Sequence, residues 1–177
     1  MEYQASSPDE IAIVKWTQSV GITLISREQD CLSVRVADSD LTLTFDIIAI
    51  FPFTSEKKRM GIVLKDRRDG SVVFYSKGAD SVMARLVQAN DWLDEETGNM
   101  AREGLRTLVF ARKKMSSKLV TEFVSRYNEA KRTILDRNVA INAVVAELLE
   151  HDLELLGLTG VEDKLQVGLP YHKFMIG

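Results

Sequence analysis

The chain has 177 residues, 45% of them hydrophobic, and a formal net charge of −3. This is enough for one domain with its own core, and the acidic balance excludes a general nucleic-acid surface, since phosphate backbones favour a net basic face. A lone cysteine, Cys31, excludes an intrachain disulfide, and with no secretory leader visible we expect the cytosol. No stretch approaches the roughly 18–20 consecutive apolar residues of a membrane span.

The first half of the chain predicts a helix and then antiparallel strands. Ser7, Pro8 and Glu10 suit the N-cap, first turn and N3 position of a helix that runs to about Val20, and Gly21 ends it. Strands are predicted from four alternating runs: CLSVRV, LTLTFDIIAIF, RMGIVLKD and SVVFYSKG. The last two runs are joined by a turn over residues 67–70, so the pattern indicates a meander and not a βαβ repeat.

The second half mixes helices and strands. Helical spacing runs from Ala79 to about Gln88 and again from Asp91 to about Glu103, with Asn90 or Asp91 placed to cap the second helix. A strand, RTLVFARKKM, follows. The fold class is therefore α+β, with a twisted, mostly antiparallel sheet flanked by helices.

The last third is predicted to be helical and then extended. Residues 116–150 favour helix with a break near residues 136–138, and LELLGLTGV is predicted to be a last strand. The final VGLPYHKFMIG is punctuated by glycine and proline and has no periodic partner, so we expect a mobile tail.

Familiar catalytic signatures are missing from the sequence. It contains no G-x-x-x-x-G-K-[ST] loop, no G-x-G-x-x-G turn, no H-E-x-x-H helix and no G-x-S-x-G elbow. His151 and His172 lie far apart, and with one cysteine we expect no metal site built from side chains.

In the SPDE stretch, Glu10 has two alternative roles. It can close a capping box on the backbone N–H of Ser7, which local chemistry favours, or it can accept a hydrogen bond from the exocyclic amine of a purine.

The stretch FPFTSEKKRM combines two phenylalanines with three cations. Spacing favours core packing for Phe51 and Phe53, whereas a ligand site would ask one ring to stack on a base beside a phosphate-binding group. Among Lys57, Lys58 and Arg59, we expect at least two to lie on a solvated face.

Two further stretches place cations beside glycines. In SKGAD, Gly78 removes a side chain where a strand turns into a helix, which would let a ligand approach closely; the alternative is a plain turn with Lys77 in solvent. In REGLRTLVFA, Arg106 begins a strand, and a salt bridge to the acidic helix DWLDEE is its alternative role.

Five stretches together carry a family resemblance: YQASSPDE, FPFTSEKKRM, FYSKGAD, GNMAREGLRTLVFA and LTGVED. In their order and spacing the chain resembles the nucleotide-binding domain of P-type ATPases, over residues 3 to about 166. It is most similar to the P4 class, the phospholipid flippases, and NDWLDEETGNMAREGLRTL resembles the branch associated with endosomes and the Golgi.

The resemblance implies an ATP-binding site. Its expected residues are Glu10, Phe53, Ser55, Lys58, Lys77, Gly78 and Arg106. Phe53 is expected to stack on adenine, Glu10 to lie near the adenine amino group and Arg106 to reach the phosphates. Lys77 is expected beside the same pocket, with Ser55 and Lys58 at its rim, and Phe51 is then left to the core.

The resemblance also implies that ATP binding and phosphorylation are carried out by separate domains. Such a domain holds ATP by its base and presents the terminal phosphate to an aspartate in a separate phosphorylation domain, whose Asp-Lys-Thr-Gly motif is absent from this sequence. The expected partners are ATP and the phosphorylation and actuator domains of a parent pump. Mg²⁺ is expected in the pump but not on residues of this chain.

We therefore expect residues 1–166 to form a nucleotide-binding domain and residues 167–177 to form a divergent tail. As an isolated domain it is expected to be monomeric and soluble, with the parent protein exposing it on the cytosolic face of an endomembrane. The alternative is a protein-interaction domain in which residues 116–150 dock a partner and the nucleotide pocket is idle.

Overall fold

The structure, a computed structural model, describes residues 7–39 and 41–162 together with the backbone of residues 173–176. The described part contains eight strands: β1 (Ile22–Arg27), β2 (Cys31–Val36), β3 (Leu41–Phe51), β4 (Arg59–Asp66), β5 (Val72–Gly78), β6 (Arg106–Met115), β7 (Glu154–Val161) and β8 (Lys173–Ile176). Its α-helices are α1 (Pro8–Ser19), α2 (Asp80–Met83), α3 (Leu93–Arg102), α4 (Ser117–Arg132) and α5 (Arg137–Leu148), and a 3₁₀ turn spans Ala37–Ser39.

The strands form one antiparallel meander in which each strand pairs with the next along the chain, from β1 to β8. The α+β prediction is therefore confirmed. Strand β3 is the longest, and its two neighbours pair with different parts of it: β2 from Leu41 to Asp46, and β4 from Phe45 to Phe51. Because of this stagger, the β1–β2 hairpin lies beside the N-terminal half of β3.

Helix α1 begins and ends close to where the sequence predicts. The side chain of Ser7 accepts a hydrogen bond from the backbone N–H of Asp9 at 3.2 Å, and Pro8 occupies the first turn. After the helix, Gly21 has a φ of +90°, a conformation that glycine adopts at little cost.

One strand and one helix differ from the prediction. The sequence did not predict β1, and the helix predicted over Ala79–Gln88 ends at Met83. Beyond it, the backbone N–H of Gln88 donates to Leu153, and the N–H of Leu153 donates to Leu86, so Val87 forms a bridge with Leu153. These tertiary hydrogen bonds take the backbone groups that a longer helix would use.

The later elements follow the predicted pattern. The side chain of Asn90 accepts from the backbone N–H of Leu93 at 2.9 Å, as expected for the start of α3. Helices α4 and α5 are separated where Asp136 adopts a φ of +57°, at the predicted break.

The C-terminal tail differs from its prediction in one respect. Its residues 173–176 form β8, which pairs antiparallel with β7, whereas we expected a mobile tail. Residues 163–172 and 177 lie outside the described part of the chain. Within that described part, no helix is long and apolar enough to cross a membrane.

The core lies between one face of the sheet and helices α2 to α5. Its fully buried side chains include Phe74 from β5, Leu158 from β7, Met83 from α2, Met100 from α3 and Phe123 from α4. We call this the helix-covered face of the sheet.

Candidate functional site

The opposite face of the sheet carries an apolar cavity. Along β5 the buried and partly exposed residues alternate strictly, because successive side chains of a strand point to opposite faces. Phe74 and Ser76 therefore face the helices, while Tyr75 and Lys77 face a cavity of about 320 Å³. We call this side the cavity face.

Strand register brings the predicted site residues to one edge of the sheet. Lys77 lies opposite Met60 on β4 and opposite Phe110 on β6. Arg106 begins β6 beyond that row, and β3 ends beside the start of β4, where the loop carrying Phe53 follows. The expected base platform and two of the expected cations therefore share this edge.

Glu10 and Lys77 form a direct ion pair across this edge. The Lys77 Nζ donates to the Glu10 Oε1 at 3.0 Å, and both side chains are about three-quarters buried. Lys77 is thus not solvated, which excludes the plain-turn alternative for its side chain. The contact joins the first turn of α1 to the end of β5.

Arg106 is held by the neighbouring residue of α1. Its terminal nitrogen donates to the Asp9 Oδ1 at 2.8 Å, and the Arg106 side chain stays half-exposed. The partner is therefore α1 and not the acidic segment DWLDEE, which was the expected alternative. Two adjacent carboxylates of α1 thus hold Arg106, which the resemblance assigned to the phosphates, and Lys77, which it placed beside the same pocket.

The two phenylalanines of FPFTSEKKRM have different environments. Phe51 makes edge-on ring contacts with Phe74, Phe123 and Tyr127, with centroid distances of 5.9–6.4 Å, so it packs against the core as expected. Phe53 is 58% exposed, with its ring free to meet a ligand. The difference arises because Phe51 is the last residue of β3, whereas Phe53 lies beyond the strand in the loop, where the sheet no longer directs its side chain toward the core.

The loop after Phe53 is a tight turn that presents Ser55 and Lys58. Thr54 organises it, because its carbonyl accepts from the backbone N–H of Lys58 at 2.8 Å and its hydroxyl accepts from that of Lys57 at 3.2 Å. Lys58 has a φ of +50° and an exposed side chain, and Ser55 is also exposed. Neither candidate lines the cavity, and their place at the rim of an ATP site stays a prediction.

The other two cations of this stretch point toward helix α5 and its C-terminal end. Arg59 forms a bidentate pair with Glu150, with N–O distances of 2.7 and 2.6 Å, and the Lys57 ammonium donates to Asn142. Burial lowers the pKa of Lys57, against the opposing attraction of Glu150. The prediction that at least two of the three cations are solvated is wrong, because only Lys58 is exposed.

Gly78 is required by packing within the sheet. A Cβ at this position would lie 2.6 Å from the Cβ of Arg59 and 2.8 Å from the carbonyl oxygen of Lys58. The backbone N–H of Ala79 also donates to that carbonyl at 3.0 Å. The absence of a side chain thus allows β4 and β5 to pack closely at this position. A role for Gly78 in ligand approach stays a prediction.

Sequence reasoning did not identify the walls of the cavity. They include Ile50, Met60, Ile62, Tyr75, Phe110 and Leu156, with Arg27 from β1. In the sequence, these residues occupy the strand positions that alternate with the core positions. The pattern alone could not show which of the two faces is left uncovered by helices.

The described residues offer no metal site at this edge. Their one close group of three potential ligands is Glu28, Asp30 and Cys31, which lies in and beside the β1–β2 turn and is largely exposed. Asp9 and Glu10 each hold a cation. Because both carboxylates are already paired with cations, the donor set at this edge does not fit Mg²⁺.

A comparison with protein-family models matches residues 3–168 to the P-type ATPase, cytoplasmic domain N. The match covers most of the chain and includes every predicted site residue.

Curated relatives are similar over nearly the whole chain. The chain is 54% identical over 166 residues to the phospholipid-transporting ATPase NEO1 of Saccharomyces cerevisiae, covering 94% of this chain and 14% of the relative. It is 56% identical over 164 residues to a probable phospholipid-transporting ATPase IIB of Danio rerio, covering 93% and 14%. For the probable phospholipid-transporting ATPase tat-5 of Caenorhabditis elegans the identity is 53% over 169 residues, covering 94% and 16%. These relatives are P4-type ATPases, and the chain spans about one seventh of their length.

Proposed function

The chain belongs to the family of the P-type ATPase cytoplasmic domain N, and from this premise we propose that it is the ATP-binding domain of a phospholipid-translocating pump. The observation that carries the proposal is the pair of ion contacts at the edge of the cavity face, where Glu10 holds Lys77, which lines the apolar cavity, and Asp9 holds Arg106. A nucleotide has a flat base and charged phosphates, so its site needs an apolar cavity together with cations.

The base end of the site rests on Phe53 and the cavity walls. A ring that is 58% exposed is available for stacking, which contributes about 1–3 kcal/mol per base. In this proposal Glu10 accepts from the adenine amino group while it keeps Lys77 in place, since a carboxylate has two acceptor oxygens.

The phosphate end rests on Arg106. Its guanidinium has five N–H donors, so it can contact a phosphate and keep its hydrogen bond to Asp9. Lys58 and Ser55, on the exposed turn beside Phe53, are proposed as further contacts from the rim. Gly78 is proposed to act indirectly, by keeping β4 and β5 close enough to hold this edge in shape.

The contribution to catalysis is positioning. Phosphoryl transfer depends mainly on the alignment of donor and acceptor, and a bound base fixes where the terminal phosphate lies. The acceptor aspartate belongs to a separate phosphorylation domain, since this sequence has no Asp-Lys-Thr-Gly motif. The chain alone is proposed to bind nucleotide and not to hydrolyse it.

Magnesium is assigned to the parent pump. The ion would neutralise the phosphates of ATP during transfer, and no ligand for it is proposed from this chain, because the acidic side chains at the edge are already paired with cations. The phosphorylation and actuator domains are the proposed partners within the pump.

The setting of the parent protein is also a proposal. The relatives named above are phospholipid-transporting ATPases, so we place this domain on the cytosolic side of a membrane that holds such a pump. The similarity of NDWLDEETGNMAREGLRTL to the endosomal and Golgi branch favours an endomembrane.

The test is an amide NMR titration of the 177-residue protein with ATP, made beside Phe53→Ala, Lys77→Ala and the control Lys118→Ala, an exposed lysine on α4. We expect shifts at Glu10, Phe53, Lys77 and Arg106, with dissociation constants of roughly high micromolar to millimolar, since one open pocket makes few contacts. The two site variants should lose about tenfold or more in affinity, and the control should not.

Absence of shifts at millimolar ATP in the folded wild type would contradict the proposal. Shifts that persist unchanged in both site variants would place nucleotide elsewhere. If the protein bound no nucleotide but bound a partner protein through residues 116–150, the interaction-domain alternative would replace it.

A further inference from the structure

The connection between α4 and α5 is the most exposed apolar part of the described chain. Ile134, Leu135 and Val139 are 90%, 80% and 65% exposed, more than any other large apolar side chain described. Exposed apolar residues that cluster, and are not scattered singly, mark interaction sites. We call the segment 131–139 the helix tip.

Local structure explains why these side chains point outward. Thr133 leaves the helical conformation at the end of α4, and Asp136 turns the chain with a φ of +57°. The faces of α4 and α5 that pack on the sheet are already filled, by residues such as Phe123, Val144 and Leu148. The aliphatic residues of the tip therefore have no core to join.

Three cations flank the exposed aliphatic residues in the sequence of the helix tip. Lys131, Arg132 and Arg137 are exposed, and within the described residues none of them forms a salt bridge. The Lys131 ammonium lies 5.3 Å from the centroid of the Tyr127 ring, and the Arg137 Nε donates to the Thr133 carbonyl at 3.3 Å. Against these three charges the tip carries one carboxylate, Asp136.

Charge complementarity selects the kind of partner. We propose that the helix tip docks an acidic amphipathic protein segment, whose aliphatic side chains cover Ile134, Leu135 and Val139 while its carboxylates meet Lys131, Arg132 and Arg137. A second copy of the tip is disfavoured, because a two-fold contact would oppose three cations to three cations. This proposal does not depend on ATP binding.

A lipid surface is the weaker alternative. The tip has no Trp or Tyr, the residues that anchor proteins at a membrane interface, and the whole chain has a net charge of −3, which anionic lipids repel. A protein segment can match the local positive charge and shield the aliphatic residues from water, which is how interfaces derive most of their affinity.

The experiment measures fluorescence anisotropy of a labelled helical peptide with leucines on one face and glutamates on the other. The matched peptide replaces every glutamate with lysine. The protein variants are Ile134→Ser/Leu135→Ser, Arg132→Glu/Arg137→Glu and the control Val20→Ser, which removes the exposed apolar residue directly after α1. Circular dichroism confirms that each is folded, as expected because the replaced side chains are mostly in water.

We expect the acidic peptide to bind and the basic peptide to bind at least about tenfold more weakly. Both tip variants should weaken binding of the acidic peptide about tenfold, the control should not, and added salt should weaken the wild-type complex. Equal binding of both peptides, or no effect of the tip variants, would overturn the proposal. So would failure of the acidic peptide to bind, including the case in which mixed phosphatidylcholine–phosphatidylserine vesicles bind the tip instead.

Discussion

The two faces of the sheet differ in their environment, although the same strands form both: one face is packed against helices and the other borders a cavity. On the helix-covered face, Phe74 is completely buried in the hydrophobic core, with its ring centroid 6.2 Å from that of Phe51. On the cavity face, its neighbour Tyr75 lines an open space of about 320 Å³. Because side chains alternate along a strand, the same strand contributes core residues to one face and cavity walls to the other.

The charged residues repeat this contrast. On the helix-covered side, Arg59 and Glu150 form a bidentate pair with side chains only 19% and 9% exposed. On the cavity side, Glu10 and Asp9 hold Lys77 and Arg106 at an edge that solvent reaches. The first pair fixes β4 to the residue that closely follows α5, whereas the second group holds two cations at the edge that we propose binds ATP.

The largest expected effect separates the two faces at adjacent positions. Phe74→Ala should lower the free energy of unfolding by about 3–5 kcal/mol, because it leaves a cavity in a filled core. Tyr75→Ala should cost about half as much or less, since its side chain already borders open space. Chemical denaturation of both variants measures the difference, and equal losses would contradict the contrast.

The buried ion pair should give the next largest effect. Glu150→Ala leaves the Arg59 guanidinium without its partner in a mostly buried position, and we expect a loss of about 2–3 kcal/mol in unfolding free energy. The matched control is the Arg112–Glu154 pair, with side chains 30% and 49% exposed, where Glu154→Ala should cost about 1 kcal/mol or less.

A double-mutant cycle on Arg59 and Glu150 sharpens this prediction. A coupling energy above about 1 kcal/mol would assign the loss to the pair itself. A coupling near zero would show instead that each side chain contributes only by packing.

The two phenylalanines of FPFTSEKKRM should respond in opposite ways. Phe53→Ala should change the unfolding free energy by less than about 0.5 kcal/mol and weaken ATP binding by about 1–3 kcal/mol. Phe51→Ala should reduce stability by about 2–4 kcal/mol, because its ring contacts three aromatic neighbours. If Phe53→Ala were the more destabilising change, its ring would belong to the core and not to a ligand site.

The smallest effect concerns an exposed pair between α4 and α5. Hydrogen bonds from Arg126 hold the pKa of Glu147 below its ordinary value of 4.5. The stability from this pair is therefore fully present above about pH 4.5 and is lost as the pH falls through the lower folded-state pKa. We expect Glu147→Gln to reduce the fall in melting temperature between pH 5 and pH 3 slightly.

The control for this pH dependence is Glu129→Gln, an exposed glutamate of α4 outside the Arg126 pair. An identical pH profile for the two variants would show that the Arg126 contact does not persist in solution.

Most of the elements could be predicted from the sequence, because their signals are local. Strands β4 and β6 have the predicted bounds, and Ser7 and Asn90 accept the hydrogen bonds that local chemistry assigns to helix starts. The helix predicted over Ala79–Gln88 was too long, because Leu153, which is distant in sequence, pairs with the backbone on either side of Val87.

The candidate site was predicted less completely. The resemblance supplied its residues, and spacing alone favoured core packing for both Phe51 and Phe53. The structure separates the two rings and identifies Asp9 as the partner of Arg106, a contact that spans most of the chain. Spacing along the chain could not indicate this contact, because it depends on where α1 lies against the sheet.

By itself, the sequence determined the alternating strands and the helix starts, since these follow from backbone geometry and neighbouring side chains. Only the tertiary structure decided which face of the sheet the helices cover and which cations α1 and α5 hold. The physical reason is that each strand has two chemically similar faces, and burial of one of them depends on helices encoded elsewhere in the chain.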